Sequence, residues 1–135
     1  MGAKGEFAFT KIIVDDIDRP AAFYKTVFGF HEVFRIKEAV TPERPIEELM
    51  LSLADSETSK EPPLVLFKFL EEDPPKGSDV IIGLIVPDIK RTFELVQENG
   101  GSVVRWPQED PPRGIICGFA TDCDGRLLEI IQMMG

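Results

Sequence analysis

The segment Val14–Phe30, VDDIDRPAAFYKTVFGF, gives the strongest indication of the fold, because the segment Val86–Gly101, VPDIKRTFELVQENGG, repeats its pattern. At an offset of 72 residues, five identical residues coincide: Val14 with Val86, Asp16 with Asp88, Ile17 with Ile89, Arg19 with Arg91 and Gly29 with Gly101. Each segment has an acid that can cap a helix, apolar residues at helical spacing and a terminal glycine that permits a left-handed stop. We therefore interpret the chain as an internal duplication.

Segments rich in β-branched and aromatic residues flank each predicted helix and predict strands. In the first half these are FAFTKIIV, HEVFRIKEA, IEELMLSLA and PPLVLFKFL, and in the second half DVIIGLIV, GSVVRWP, GIICGFAT and RLLEIIQMM. The sequence DCDG at 122–125 predicts a hairpin turn before the last strand. The predicted fold is α+β. It is a single domain, residues 1–135, of two β-α-β-β-β modules, about 6–73 and 78–134, whose curved mixed sheets form a cup.

Composition excludes several classes of partner. The chain has 135 residues, 43% of them hydrophobic, which fits one globular domain. Its net charge of −9 argues against nucleic acid and anionic membranes. There is no apolar run of the ~20 residues that cross a bilayer and no signal-peptide hydrophobic region. The two cysteines form neither a disulfide framework nor a zinc motif. We expect a cytoplasmic protein with no nucleic-acid or membrane partner.

The segments 14–30 and 86–101, together with DCDGRLLEI at 122–130, resemble the vicinal oxygen chelate superfamily. This superfamily includes glyoxalase I, the bleomycin and fosfomycin resistance proteins, extradiol dioxygenases and methylmalonyl-CoA epimerase. The resemblance covers nearly the whole chain and implies the paired-module fold. It also implies a homodimer, which would protect an apolar sheet edge. It leaves the function open, because this fold carries many chemistries.

Metal-using members of this superfamily hold one divalent ion with side chains from the first and last strands of each module. By the resemblance, the corresponding positions here are Phe9, Leu66, Ile81 and Glu129. Only Glu129 can coordinate an ion, and one carboxylate does not hold a divalent cation in water. The sole histidine, His31, opens the predicted second strand, away from these positions. We therefore expect neither a metal nor another cofactor.

Glu129 is the candidate for chemistry, with two lysines as possible companions. Strand alternation is expected to place Lys11 on the face of Phe9 and Lys68 on the face of Leu66. In one interpretation, Glu129 is paired with one of these lysines or reaches water. In the other, it binds a polar ligand group or acts as a general base, while a lysine neutralises developing negative charge. The candidate catalytic residues are Glu129, Lys11 and Lys68.

The remaining candidates are mostly apolar and suit a hydrophobic or aromatic small molecule. The candidate ligand-binding residues are Phe9, Ile13, Leu66, Ile81, Gly83, Trp106, Arg113 and Leu127. Trp106 and Arg113 flank a predicted loop, PQEDPP. Trp106 either stacks on a ligand or packs on Pro107, and Arg113 either meets an anionic ligand or remains in solvent.

Two functions follow from this pattern. The first is a metal-free small-molecule binding protein. The alternative is a metal-independent isomerase, lyase or tailoring enzyme with Glu129 as acid or base. A metal-dependent glyoxalase or dioxygenase has the least support.

Overall fold

The structure is a computed structural model that describes residues 4–55, 61–76 and 80–135. The first half contains β1 (Thr10–Ile13), α1 (Asp18–Phe28), β2 (His31–Ala39), β3 (Pro45–Ser52) and β4 (Leu64–Phe69). The second half contains β5 (Ile82–Ile85), α2 (Ile89–Glu98), β6 (Ser102–Asp110), β7 (Ile115–Thr121) and β8 (Leu127–Met133), with a short 3-10 helix at Pro111–Arg113. The predicted order β-α-β-β-β occurs twice. Strands β1 and β5 keep the offset of 72 residues at both ends.

Each half forms its own mixed four-stranded sheet. The strand order is β1-β4-β3-β2 in the first sheet and β5-β8-β7-β6 in the second. The first and last strands of each half run parallel, and the other neighbours are antiparallel. The predicted α+β class is therefore confirmed. By backbone contacts the chain divides into two compact units, Met1–Ala21 with Phe30–Pro74, and Ala22–Gly29 with Pro75–Gly135.

Local signals position both helices. The Asp88 side chain accepts a hydrogen bond at 3.1 Å from the backbone N–H of Arg91, which caps α2 as the sequence predicts. Asp16 does the same for the start of α1. The helices are followed by Gly29 and Gly100, with φ of 81° and 92°, a conformation that favours glycine. No helix in the described ranges is long and apolar enough to cross a membrane.

In the first sheet, strand pairing separates two faces. Ile12, Leu49 and Leu66 are partners on adjacent strands and are buried on one face. Lys11 and Ile13 point to the opposite side, which we call the Lys11 face. Lys11 pairs with Val65, so Val65 and Phe67 share the Lys11 face.

This register corrects the sequence interpretation of β4. Leu66 and Lys68 lie on the face opposite Lys11, and Leu66 is fully buried there. The expectation that they share a face with Phe9 and Lys11 is wrong by one residue. Apart from Lys68 near its end, strand β4 is apolar on both sides, so alternation gives little information about which side faces the helix. Because Lys11 corresponds to Gly83, and Gly83 pairs with Glu129, the counterpart of Glu129 in the first sheet is Val65.

The turn before β8 is built around a buried carboxylate. Asp122 accepts hydrogen bonds from the Tyr24 hydroxyl at 2.7 Å, the Arg126 guanidinium at 2.8 Å, and the backbone N–H groups of Asp124 and Arg126, both at 2.9 Å. Gly125, with φ 85°, completes the predicted hairpin turn. Burial and then the charge of Asp122 raise the pKa of the Tyr24 hydroxyl well above its usual range, so this group remains a donor. The first residue of the DCDG sequence is therefore structural.

Candidate functional site

One cross-strand row crosses the whole second sheet beside Glu129. Register partners from β6 to β5 are Arg105, Phe119, Glu129 and Gly83, and we call them the Glu129 row. Partners in a row project from the same side of a sheet, which we call the Glu129 face. A Cβ atom added at Gly83 would meet nothing within 4 Å. The row thus presents a cation, an aromatic ring, a carboxylate and an open gap.

Glu129 is held by a thiol. The Cys117 Sγ donates a hydrogen bond to Glu129 Oε1 at 3.6 Å. Desolvation, followed by the hydrogen bond and charge of Glu129, raises the pKa of the buried Cys117 thiol, and Arg105 acts in the opposite direction. Cys117 is therefore a protonated donor and a poor nucleophile. Within the described part of the second unit, no basic side chain forms an ion pair with Glu129. Its carboxylate keeps acceptor capacity for another group.

Sequence reasoning missed Arg105. Its guanidinium carbon lies 4.9 Å from the centroid of the Phe119 ring, within the range of a cation–π contact. The pairing of β6 with β7 shifts register on both sides of Arg105. Such irregularities redirect a side chain. The only signal in the sequence is a charged residue within the apolar segment GSVVRWP, and it does not say which face the charge takes.

The Lys11 face of the first sheet contains an ion pair. Lys11 Nζ donates to Glu48 Oε2 at 2.8 Å, and Glu48 is buried. The same Nζ lies 4.7 Å from the Phe67 ring centroid and 5.3 Å from that of Phe9. Sequence reasoning missed Glu48, although a pair of acids within the apolar segment IEELMLSL was a signal. A pairing of Lys11 with Glu129 stays a prediction.

Four apolar candidates lie on or beside the first strand of each half and on β8. Phe9 and Ile81 directly precede β1 and β5 and are 47% and 55% exposed. Ile13 is half-buried on the Lys11 face, and Leu127 is half-buried on the Glu129 face. Their role in ligand binding stays a prediction.

Trp106 and Arg113 do not belong to the Glu129 row. Trp106 lies within β6, in the segment GSVVRWP that the sequence predicts as a strand, and its ring packs beside Phe93 of α2 with centroids 6.1 Å apart. It therefore faces the helix side of the sheet, where it lines a groove of about 640 Å³. Arg113 lies in the 3-10 helix and forms an ion pair with Asp110 at 3.2 Å. The predicted loop PQEDPP is largely strand, because β6 continues to Asp110.

The donor set does not fit the divalent ion of metal-using superfamily members. With the corrected register, the four positions are Phe9, Val65, Ile81 and Glu129. Three of these are hydrocarbon side chains without lone pairs. Across residues 4–55, 61–76 and 80–135, no group of three or more His, Cys, Asp or Glu side chains is arranged to hold a metal ion.

Comparison with known proteins places the chain in a family. The model of the Glyoxalase/Bleomycin resistance protein/Dioxygenase superfamily matches residues 6–130. The chain therefore belongs to this superfamily, and the resemblance seen in the sequence is confirmed. No curated protein matches the sequence.

Solved structures share the fold at low identity. A glyoxalase family protein from Bacillus cereus is 16% identical with a TM-score of 0.80, and the alignment covers 100% of both chains. A fosfomycin resistance protein from Mesorhizobium loti is 20% identical with a TM-score of 0.64, covering 98% of this chain and 94% of the other. A glyoxalase I mutant from Zea mays is 21% identical with a TM-score of 0.73, covering 93% of this chain and 45% of the maize chain. At these identities the similarity shows the fold alone.

Proposed function

We propose that this protein binds an apolar or aromatic small molecule on the Glu129 face of the second sheet, without a metal ion. One observation carries the proposal. The Glu129 carboxylate has no basic partner in the described second unit and lies beside the open gap at Gly83. A ligand of this class would cover apolar surface and offer Glu129 a hydrogen-bond donor.

Exposed hydrocarbon near Glu129 supports an apolar ligand. Ile85 lies two residues after Gly83 on the same face of β5 and is 70% exposed. Ile81, which precedes β5, is also largely exposed. Covering apolar surface contributes roughly 25 cal/mol per Å² to association before the cost of immobilising the ligand.

The charges on the two sheets support the Glu129 face of the second sheet as the ligand-binding face. The Lys11 face of the first sheet and the Glu129 face of the second both carry an acid and a base. In the first sheet, Lys11 and Glu48 form an ion pair with each other. In the second sheet, Arg105 and Glu129 do not form one. Charges that are not neutralised within the protein are available to a ligand.

Replacing Gly83 by valine tests the site. We expect the free energy of unfolding to change by less than about 1 kcal/mol, because the gap is open and valine suits a strand. The valine fills the gap, so affinity for the neutral fluorescent probe N-phenyl-1-naphthylamine should fall at least about tenfold, equivalent to 1.4 kcal/mol. Fluorescence titration measures the affinity, and urea denaturation measures the stability.

The matched control is Glu109→Val, which adds the same side chain to the opposite face of the second sheet, since Glu109 pairs with Ile116. It should leave probe affinity unchanged. Unchanged binding in a folded Gly83→Val protein would place the ligand elsewhere and overturn the proposal.

The alternative function is a metal-independent enzyme that uses Glu129 as acid or base. It is supported by the thiol that orients this carboxylate. Glu129→Gln keeps the shape and removes the ionisable group. For a binding protein, we expect affinity for N-phenyl-1-naphthylamine to remain within about threefold. Loss of a general base instead costs about 10² to 10⁴ in rate. To decide between the two functions, a library of aromatic hydroxy acids and carbonyl compounds is incubated with the unaltered protein and with Glu129→Gln. Mass spectrometry then detects any product. Conversion present in the unaltered protein and lost in Glu129→Gln would establish the enzyme.

The homodimer that the resemblance implies stays a proposal. Strand β2 is an edge strand of the first sheet, and its Val33 is 51% exposed. Pairing with a second copy would protect such an edge. The cytoplasmic location and the lack of nucleic-acid and membrane partners likewise stay predictions from the sequence.

A further inference from the structure

Arg105 differs from most arginines of this protein in its partners. Arg35, Arg44, Arg91, Arg113 and Arg126 each form an ion pair with a carboxylate. Among the residues that the structure describes, Arg105 forms none, in a chain with 24 acidic residues and a net charge of −9. Acids are therefore abundant, but none of those that the structure describes forms an ion pair with Arg105.

The surroundings of Arg105 leave its hydrogen-bonding edge available. Its guanidinium carbon lies 4.9 Å from the centroid of the Phe119 ring, which is a cation–π contact and not a conventional hydrogen bond. It also interacts with the Cys117 thiol. A guanidinium has five N–H donors in its plane, so most of them remain for a ligand. A planar guanidinium is suited to bidentate binding of a carboxylate or related anion.

The position of Arg105 relates it to the proposed site. Arg105 and Glu129 lie two strands apart in one row, with Phe119 between them. At about 4.8 Å per strand, their backbones are roughly 10 Å apart. A small molecule that contacts both side chains would lie over this row, beside the Phe119 ring and the gap at Gly83.

We propose that Arg105 determines ligand specificity by binding an anionic group, so the ligand is an apolar or aromatic molecule that carries one negative charge. This inference rests on the proposed function and narrows it to aromatic or aliphatic acids. Glu129 accepts a hydrogen bond from a second polar group on the same molecule. A ligand with no charge lacks the Arg105 contact and binds more weakly.

Two related probes test the charge requirement. 8-Anilinonaphthalene-1-sulfonate and N-phenyl-1-naphthylamine share a ring system and differ in the sulfonate. We expect the anionic probe to bind the unaltered protein about tenfold more tightly. In Arg105→Gln, affinity for the anionic probe should fall about tenfold, while affinity for the neutral probe stays within twofold. Arg105→Lys keeps the charge and should recover part of the loss.

The control is Arg91→Gln, which removes an exposed arginine of α2 that already has a carboxylate partner, and it should leave the affinity for both probes unchanged. Raising the salt concentration should lower the affinity for the anionic probe only. Equal losses for both probes in Arg105→Gln, or no loss for the anionic probe, would overturn the inference.

The outcomes separate this inference from the proposed function. If Gly83→Val lowers the affinity for both probes and Arg105→Gln lowers the affinity for neither, the proposed site is correct and the proposed role of Arg105 is wrong. If Gly83→Val changes neither probe, the proposed site itself is wrong. Both proposals are supported if Arg105→Gln lowers the affinity for the anionic probe alone and Gly83→Val lowers the affinity for both probes.

Discussion

Replacing Asp122 by alanine is expected to lower the free energy of unfolding by about 3–5 kcal/mol, because it breaks a buried charged network by removing one partner. The carboxylate is fully buried and accepts four hydrogen bonds. Without it, the guanidinium of Arg126, which is largely buried, loses its carboxylate partner, and the hydroxyl of Tyr24 loses its acceptor. Urea denaturation followed by circular dichroism measures the change.

Two further variants calibrate this expectation. Asp124→Ala removes an exposed carboxylate from the same turn. It should lower the free energy of unfolding by well under half the loss expected for Asp122→Ala. Tyr24→Phe removes one of the four hydrogen bonds and should cost about 1 kcal/mol. If Asp122→Ala costs no more than Tyr24→Phe, the carboxylate does not organise the network and our interpretation of the turn is wrong.

Replacing Gly101 by alanine is expected to lower the free energy of unfolding by about 3 kcal/mol, which is the upper part of the range for overpacked cores. The added Cβ would clash with the backbone carbonyl of Thr121 and would lie 2.7 Å from a methyl carbon of Val96. A backbone atom cannot move away as a flexible side chain can, so strand β7 or helix α2 must shift. For a domain of this size, the melting temperature should fall by roughly 10 °C.

Gly83→Ala is the matched control for Gly101→Ala. It adds the same methyl group in the same unit, where no atom lies within 4 Å. Its melting temperature should stay within a few degrees of the unaltered protein. A Gly101→Ala protein with unchanged stability would show that β7 approaches α2 less closely than the structure describes.

Gly101 aligns with Gly29 in the repeat but has a different role. The sequence predicts that the first helix ends at Gly29 and the second at Gly100 and Gly101. Gly29 and Gly100 have a positive φ, and Gly101 does not. Gly101 is required because a neighbouring strand leaves no room for a side chain. A helix stop is a local property, whereas close approach depends on packing that the sequence does not display.

The helices and strands and their order could be predicted without coordinates. Helix caps, glycine stops and runs of β-branched residues are local signals, and each depends on a few neighbouring residues. The duplication at 72 residues added the long-range statement that both halves fold alike. The resemblance to the superfamily identified Glu129 as the one coordinating residue left at the metal positions.

Which side chains share a face could be read only from the folded chain. Strand pairing shows that Val65, and not Lys68, shares the face of Lys11. It also shows that Arg105 lies in the same cross-strand row as Glu129. A strand that is apolar on both sides looks the same in sequence whichever way it faces, and an irregularity in pairing reverses the alternation beyond it. The site depends on these choices because a one-residue shift exchanges every side chain between the two faces of a sheet.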